Sequence, residues 1–258
     1  MCFYILFQLC CSYSTIFKTF DHIPFKTSNM NIFLLDALAA VAAAYHCDKH
    51  CIKMILETTQ LLYSAWWFHR DSFPLPELDP CPYDPYRPTH TNHPSAIWAR
   101  AAPEHYNWLL DLGFALCKEY YQRYGGKLHK CLAHLDRLQE MGPPVHIGEE
   151  TYQPPVHKIA LTGLPDGIRY FHCAVRDDLW DHCAVYTDGL LNAIETYRRY
   201  YATKEWQLKW YKSPQEPPSW YTRARTLVST EAARIYPHNP KSIGADTFVG
   251  AFLTDIAI

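Results

Sequence analysis

Apolar and polar positions divide this chain into helical blocks separated by proline-rich breaks. The run "MNIFLLD" at 30–36 is apolar almost throughout and too short for a helix, so it reads as a strand or extended segment. From 37 to 70 an alanine-rich opening leads into apolar positions at 52, 55, 56, 62 and 63 with polar residues between them. Alanine favours helix, and the spacing has the helical period, so one long helix is predicted here. Prolines at 74, 76, 80, 82, 85 and 88 then interrupt the pattern. Each removes a backbone donor and locks φ, which predicts a loop. Irregular segments of that length inside a domain are more often functional than neutral.

Two or three helices are predicted over 93–141, with Pro94 in a first turn, Asn92 or His93 as its cap, and Gly125–Gly126 closing the longest one. Beyond the stretch "GPPVHIGEETYQPP", helical character returns in the later half of 179–213 and stops at "PQEPPSW". The expected fold is therefore mainly α: a compact helical domain with a proline-rich loop and a short N-terminal extended segment. Its expected divisions are a non-core extension at 1–29, a helical core at 30–141 and a linker at 142–156. A C-terminal helical part packing on the core follows at 157–222, and a tail at 223–258.

Composition narrows the function classes. Only 19 % of residues are charged and the formal net charge is −2. That counts against a dedicated non-specific duplex binder, whose affinity comes from neutralising phosphates, and leaves room for a local basic patch. The ten cysteines form no small-loop framework; several lie in helical runs, as reduced thiols of an intracellular, non-secreted protein would. The opening "MCFYILFQLCCSYSTIF" is apolar but short for a membrane span and has no basic stretch before it. No membrane partner is expected for the core, and Met30 is the expected start of the working chain.

Candidate chemistry concentrates in "YHCDKHCIKMILETTQLL", residues 45–62. On one helix His46 and His50 share a face, and Glu57 lies two turns further on. An imidazole pair with a carboxylate can bind a transition metal, with His90 and His93 as further donors. Without a CxxC pair or HExxH motif, no metal and no cofactor is assigned. The other readings are a packed helix with satisfied imidazoles, or a carboxylate, Glu57, whose ionisation is tuned by Lys49, Lys53 and the histidines for proton transfer. Asn92, His93 and Arg100 cluster at a helix start, where anions are favoured. Glu119 and Arg123 form an i,i+4 pair, read either as a surface salt bridge or, through Arg123, as a substrate contact. Arg198, Arg199 and Lys204 interleave with tyrosines and Trp206, a composition suited to phosphate contacts and base stacking. The same pattern also fits an amphipathic helix with its aromatics turned inward.

Two resemblances attach to these residues. Over about 30–220 the set "MNIFLLD…YHCDKHCIKMILETTQLL…THTNHPSAIWAR…YNWLLDLGFALCKEYYQRYGGKLHK" is similar to a widespread bacteriophage protein family, which implies a viral origin and carries no chemistry of its own. More distantly, "CDKHCIKMILE" resembles the pyrimidine-dimer DNA glycosylases, in which a histidine stands seven residues before a catalytic glutamate on one helix. Asn92 and His93 resemble that family's second motif, and Glu119, Arg123 and Gly125 its third. The resemblance implies Glu57 as the catalytic carboxylate and His50 as a DNA contact. It also implies attack on a sugar carbon by the chain's N-terminal amine, which for a start at Met30 is the amine of Met30. The arginines that flank the family's glutamate are replaced by Leu56 and Gln60.

The leading expectation is a viral DNA-processing protein of the glycosylase and abasic-site lyase type, with DNA as its partner. A non-catalytic nucleic-acid-binding or host-interaction protein is the alternative. A metal-dependent hydrolase built on the His/Glu residues is the third.

Overall fold

The computed structural model describes residues 30–69, 83–144, 156–204 and 208–221. The expected N-terminal extension, the proline-rich stretch at 70–82, most of the linker, Trp206 and the tail lie outside the described residues. Helix dominates what is described, as the mainly α expectation requires. The helices are α1 (Ala39–Tyr45), α2 (Asp48–Phe68), α3 (Pro94–Ala99), α4 (Pro103–Arg123), α5 (Cys131–Met141), α6 (Trp180–Cys183) and α7 (Ala193–Ala202). Two short antiparallel pairs complete the set. In the first, β1 (Ile159–Ala160) aligns Ile159 with His172 of β2 (Phe171–His172). In the second, β3 (Tyr186–Thr187) aligns Tyr186 with Leu191 of β4 (Leu190–Leu191). Asp188 and Gly189 link the second pair with φ of 51° and 78°, the positive dihedrals a two-residue hairpin turn needs.

Helices α2 and α4 pack along each other, α1 lies on α4, and α5 bridges both. Gly113 of α4 makes the close approach feasible, since a Cβ there would sit 2.9 Å from a Leu135 methyl and 3.1 Å from a Thr58 methyl. The segment 30–36 is extended and pairs with no strand. Ile32, Phe33, Leu34 and Leu35 are buried in the one apolar core that also takes Tyr197, Tyr201 and Trp210 from the C-terminal part. No helix of the described residues is long and apolar enough to cross a membrane.

The expected single helix over 37–70 is broken. Helix α1 ends at Tyr45, His46 turns to ψ 134°, Cys47 caps the next helix at ψ 165°, and α2 begins at Asp48. A helix end leaves carbonyls and amides that need partners, and here tertiary groups supply them. Arg123 donates to Ala44 O at 3.0 Å and His46 O at 2.7 Å. The Tyr201 hydroxyl accepts from the Cys47 N–H at 2.9 Å, and Lys209 O accepts from the Asp48 N–H at 2.8 Å. Alanine-rich periodicity argues for continuing the helix; these buried partners outweigh it.

The Glu119–Arg123 pair is also no surface bridge. The Arg123 side chain is fully buried and meets Glu119 Oε2 through Nε at 3.0 Å and Nη2 at 2.7 Å. Removing one partner of a buried ion pair leaves the other charge uncompensated, at a cost of about 3–5 kcal/mol. Arg123→Ala is expected to destabilise the protein on that scale in denaturant titration. Arg123→Lys should rescue little of it, because an ammonium cannot reproduce the planar fork that serves the carboxylate and both carbonyls.

Candidate active site

Glu57 and His50 lie on α2 and face inward, 7 % and 3 % exposed. Helical spacing explains their shared face, and the extended segment 30–36 explains their burial, because it runs directly across them. Asn31 donates its main-chain N–H to Glu57 Oε2 at 3.2 Å, and Lys53 sits one turn before Glu57 with its ammonium 2.8 Å from Oε1. The Asn31 side chain is held in turn: its amide donates to Ala174 O at 3.1 Å and its oxygen accepts from the Tyr197 hydroxyl at 3.0 Å. Two residues on, the Phe33 ring stacks on His50 with centroids 5.2 Å apart. The His50 Nδ1 atom lies 2.8 Å from the Tyr201 hydroxyl.

The electrostatics follow from burial. Desolvation raises the Glu57 carboxyl above its ordinary value, partly offset by Lys53, the Asn31 N–H and the nearby His90. Desolvation holds His50 well below the usual imidazole range, helped by His46, Lys204 and Lys53. The result is a neutral imidazole and, two turns further along the same helix, a carboxyl with heightened proton affinity. Lys204, just past α7, places its ammonium 4.4 Å from the Tyr200 ring centroid and 5.8 Å from that of Phe33. Burial and the neighbouring cations Lys53 and Arg176 push it down to about 8.

The other candidates divide. Lys49 is exposed on the outer strip of α2, beside Ile52 and Leu56. His46 does not share a helical face with His50. It sits in the break, bonded through Nδ1 to Ala42 O at 2.7 Å. Asn92 is exposed. His93 spends its Nδ1 as an N-cap acceptor for the Ser95 N–H at 3.1 Å, and α3 is a six-residue helix, too short to build an anion site at its start. Arg100 is buried, donates to Thr91 O and lies 4.1 Å above the Phe68 ring. Arg123 holds the α1–α2 break. Arg198 is bound to Leu35 O, Asp36 and Glu195. Arg199 is half-buried. Tyr197, Tyr200, Tyr201 and Trp210 are buried, so these four aromatics of the block form core, as its amphipathic reading has it. The structure thus gathers Glu57, His50, Lys53 and Lys204, with His90 nearby.

Asn31, Phe33 and Arg176 are neighbours of this site that sequence reasoning did not single out. One signal was present for Asn31: it is the lone polar residue within the apolar run at 30–35. Among the described residues no three His, Cys, Asp or Glu side chains converge to hold a metal ion. Cys47, Cys51, Cys117, Cys131, Cys173 and Cys183 are buried and form no disulfide; burial pushes the Cys51 thiol up to about 12, the opposite of an activated nucleophile. No family model, curated protein or solved structure matches this chain.

Two pH effects follow. The folded-state value of Glu57 lies above its ordinary 4.5, so its ionised form is disfavoured on folding and its cost appears as pH rises through that range. The melting temperature of Glu57→Gln relative to the parent should therefore increase between about pH 4 and about pH 8. His46 and His172 are both lowered from 6.5 to about 4 by burial. Their contribution is complete above 6.5 and is lost as pH falls toward 4. Thermal melts of the parent should show a steep fall in stability across that window.

Proposed function

We propose that this chain is a DNA-processing enzyme of the base-excision type, a glycosylase or abasic-site lyase in which Glu57 is the acid–base group. The observation that carries this reading is the contact between the Asn31 main-chain nitrogen and Glu57 Oε2 at 3.2 Å. Lyase chemistry of this kind needs an amine lone pair beside a carboxylate able to take and return a proton. In a chain that opens at Met30, the free α-amine lies one residue from that nitrogen, which is where the resemblance to the pyrimidine-dimer glycosylases puts it. Desolvation of Glu57 adds support, because it brings the carboxyl toward the range useful for proton exchange.

Base excision requires a nucleotide turned out of the stack. Lys53, paired with Glu57, and Lys204 bring two cations to this site in a chain whose net charge is −2, and phosphates flanking such a nucleotide would meet that charge. The likeness to bacteriophage proteins supports a viral setting inside the host cell.

Duplexes carrying one abasic site or one cyclobutane dimer test the reading, with the chain prepared both in full and from Met30. Strand cleavage is expected, and Glu57→Gln should lower its rate by about 100-fold or more, the scale of a lost acid–base group. Tight, salt-sensitive binding of both duplexes with no cleavage in either form would instead identify a non-catalytic binder.

A further inference from the structure

We propose that in the 258-residue chain the side-chain amine of Lys204 is the nucleophile of the Glu57 site, condensing with the ring-opened aldehyde of an abasic sugar. This assignment rests on the base-excision reading and supplies what that reading lacks when residues precede Met30. In such a chain the nitrogen of Met30 is a peptide nitrogen, as that of Asn31 always is, its lone pair delocalised into the carbonyl and without nucleophilic power.

Three lysines surround the site, and their environments separate them. Lys49 is exposed. Lys53 is committed to Glu57 Oε1 at 2.8 Å and stays 40 % exposed along its side chain. Lys204 follows the last turn of α7, its N–H donating to Tyr201 O at 3.0 Å. Its ammonium rests against the Tyr200 and Phe33 rings, and among the described residues it has no hydrogen bond or ion pair. The Phe33 ring that flanks it also stacks on His50 and belongs to the same extended segment whose Asn31 touches Glu57. Glu57 and Cys183 favour its charged form, but burial, Lys53 and Arg176 outweigh them, giving a value of about 8. A lysine desolvated beside other cations keeps a large neutral fraction near physiological pH, the usual route to an activated amine.

The step balances without an oxidant or reductant. The nitrogen lone pair adds to C1′ of the open-chain aldehyde, and the carbonyl π electrons move to oxygen, which takes a proton. Glu57 accepts a proton from the nitrogen and returns one to the departing hydroxyl. Water leaves and C=N replaces C=O. The iminium acidifies C2′–H; loss of that proton and departure of the 3′-phosphate break the C3′–O bond. Hydrolysis of the imine then frees Lys204.

The test treats the full chain with an abasic-site duplex and sodium borohydride, which reduces C=N to a stable secondary amine, followed by peptide mapping of the adduct. The adduct is expected on Lys204, and Lys204→Met should lower its yield by about 100-fold or more. A second measurement needs no DNA. Reductive methylation of the unmodified chain with formaldehyde and cyanoborohydride across pH should label Lys204 with a midpoint near 8, well below the ~10.4 of ordinary lysines. A Lys204 midpoint near the ordinary value overturns the assignment. So does an adduct mapped elsewhere with cleavage surviving in Lys204→Met, an outcome that leaves the base-excision reading standing. Absence of both adduct and cleavage, in a chain whose Lys204 labels near 8, overturns the base-excision reading and this assignment with it.

Discussion

The buried guanidinium of Arg123 is the interaction on which the rest of this arrangement depends. Its three nitrogens reach the Glu119 carboxylate, the carbonyls of Ala44 and His46, and, at 3.5 Å, the Asp48 carboxylate. A charge removed from water is tolerable only when its hydrogen-bonding capacity is filled, and these partners fill it. The consequence is geometric. By capturing the carbonyls at the end of α1, Arg123 stabilises the break before Asp48 and ties the start of α2 to the end of α4. The start of α2 is also held by the Tyr201 hydroxyl and Lys209 O, so α7 and the segment after it are drawn onto the same junction. From that fixed start, helical periodicity carries His50 and Glu57 beneath the segment at 30–36.

That segment supplies the second half of the site. It is extended yet joins no sheet, so its polar groups find partners among side chains. The Asn31 N–H goes to Glu57, while the Asn31 side chain spans Ala174 and Tyr197. The arrangement brings a main-chain nitrogen to a buried carboxylate, with a neutral imidazole and a partly desolvated lysine nearby. Charge burial of this kind costs stability, and such costs are commonly found where function requires them.

Several elements were legible in the sequence because they depend on local physics. Proline at the first turn of α3, Gly125 and Gly126 at φ of 67° and 76° after α4, and the presence of a late helix all follow from backbone preference. So does the seven-residue interval that places His50 and Glu57 on one face. The late helix ends at Ala202, and the chain at 208–213 instead binds the α1–α2 junction through Lys209 O and Trp210. What the sequence read differently involves partners distant along the chain. Alanine-rich propensity predicted an unbroken helix, and Arg123, 77 residues beyond His46, stabilises the break. Spacing put His46 and His50 on a common face, and that break separates them. The i,i+4 rule described Glu119 and Arg123 equally well on a surface or in a core, since local spacing carries no information about depth.

The sequence by itself determined the helical class, the start of α3, the end of α4 and the register of Glu57 relative to His50, because each is set by residues within a few positions of one another. Only the tertiary structure decided that Glu57 would be buried, that the nitrogen of residue 31 would reach it, and that Lys204 would lie close by. Those facts depend on Asn31, Glu57, Tyr197 and Lys204 meeting from opposite ends of the chain. Burial, which sets their proton affinities, is a property of the assembled core that no single segment carries.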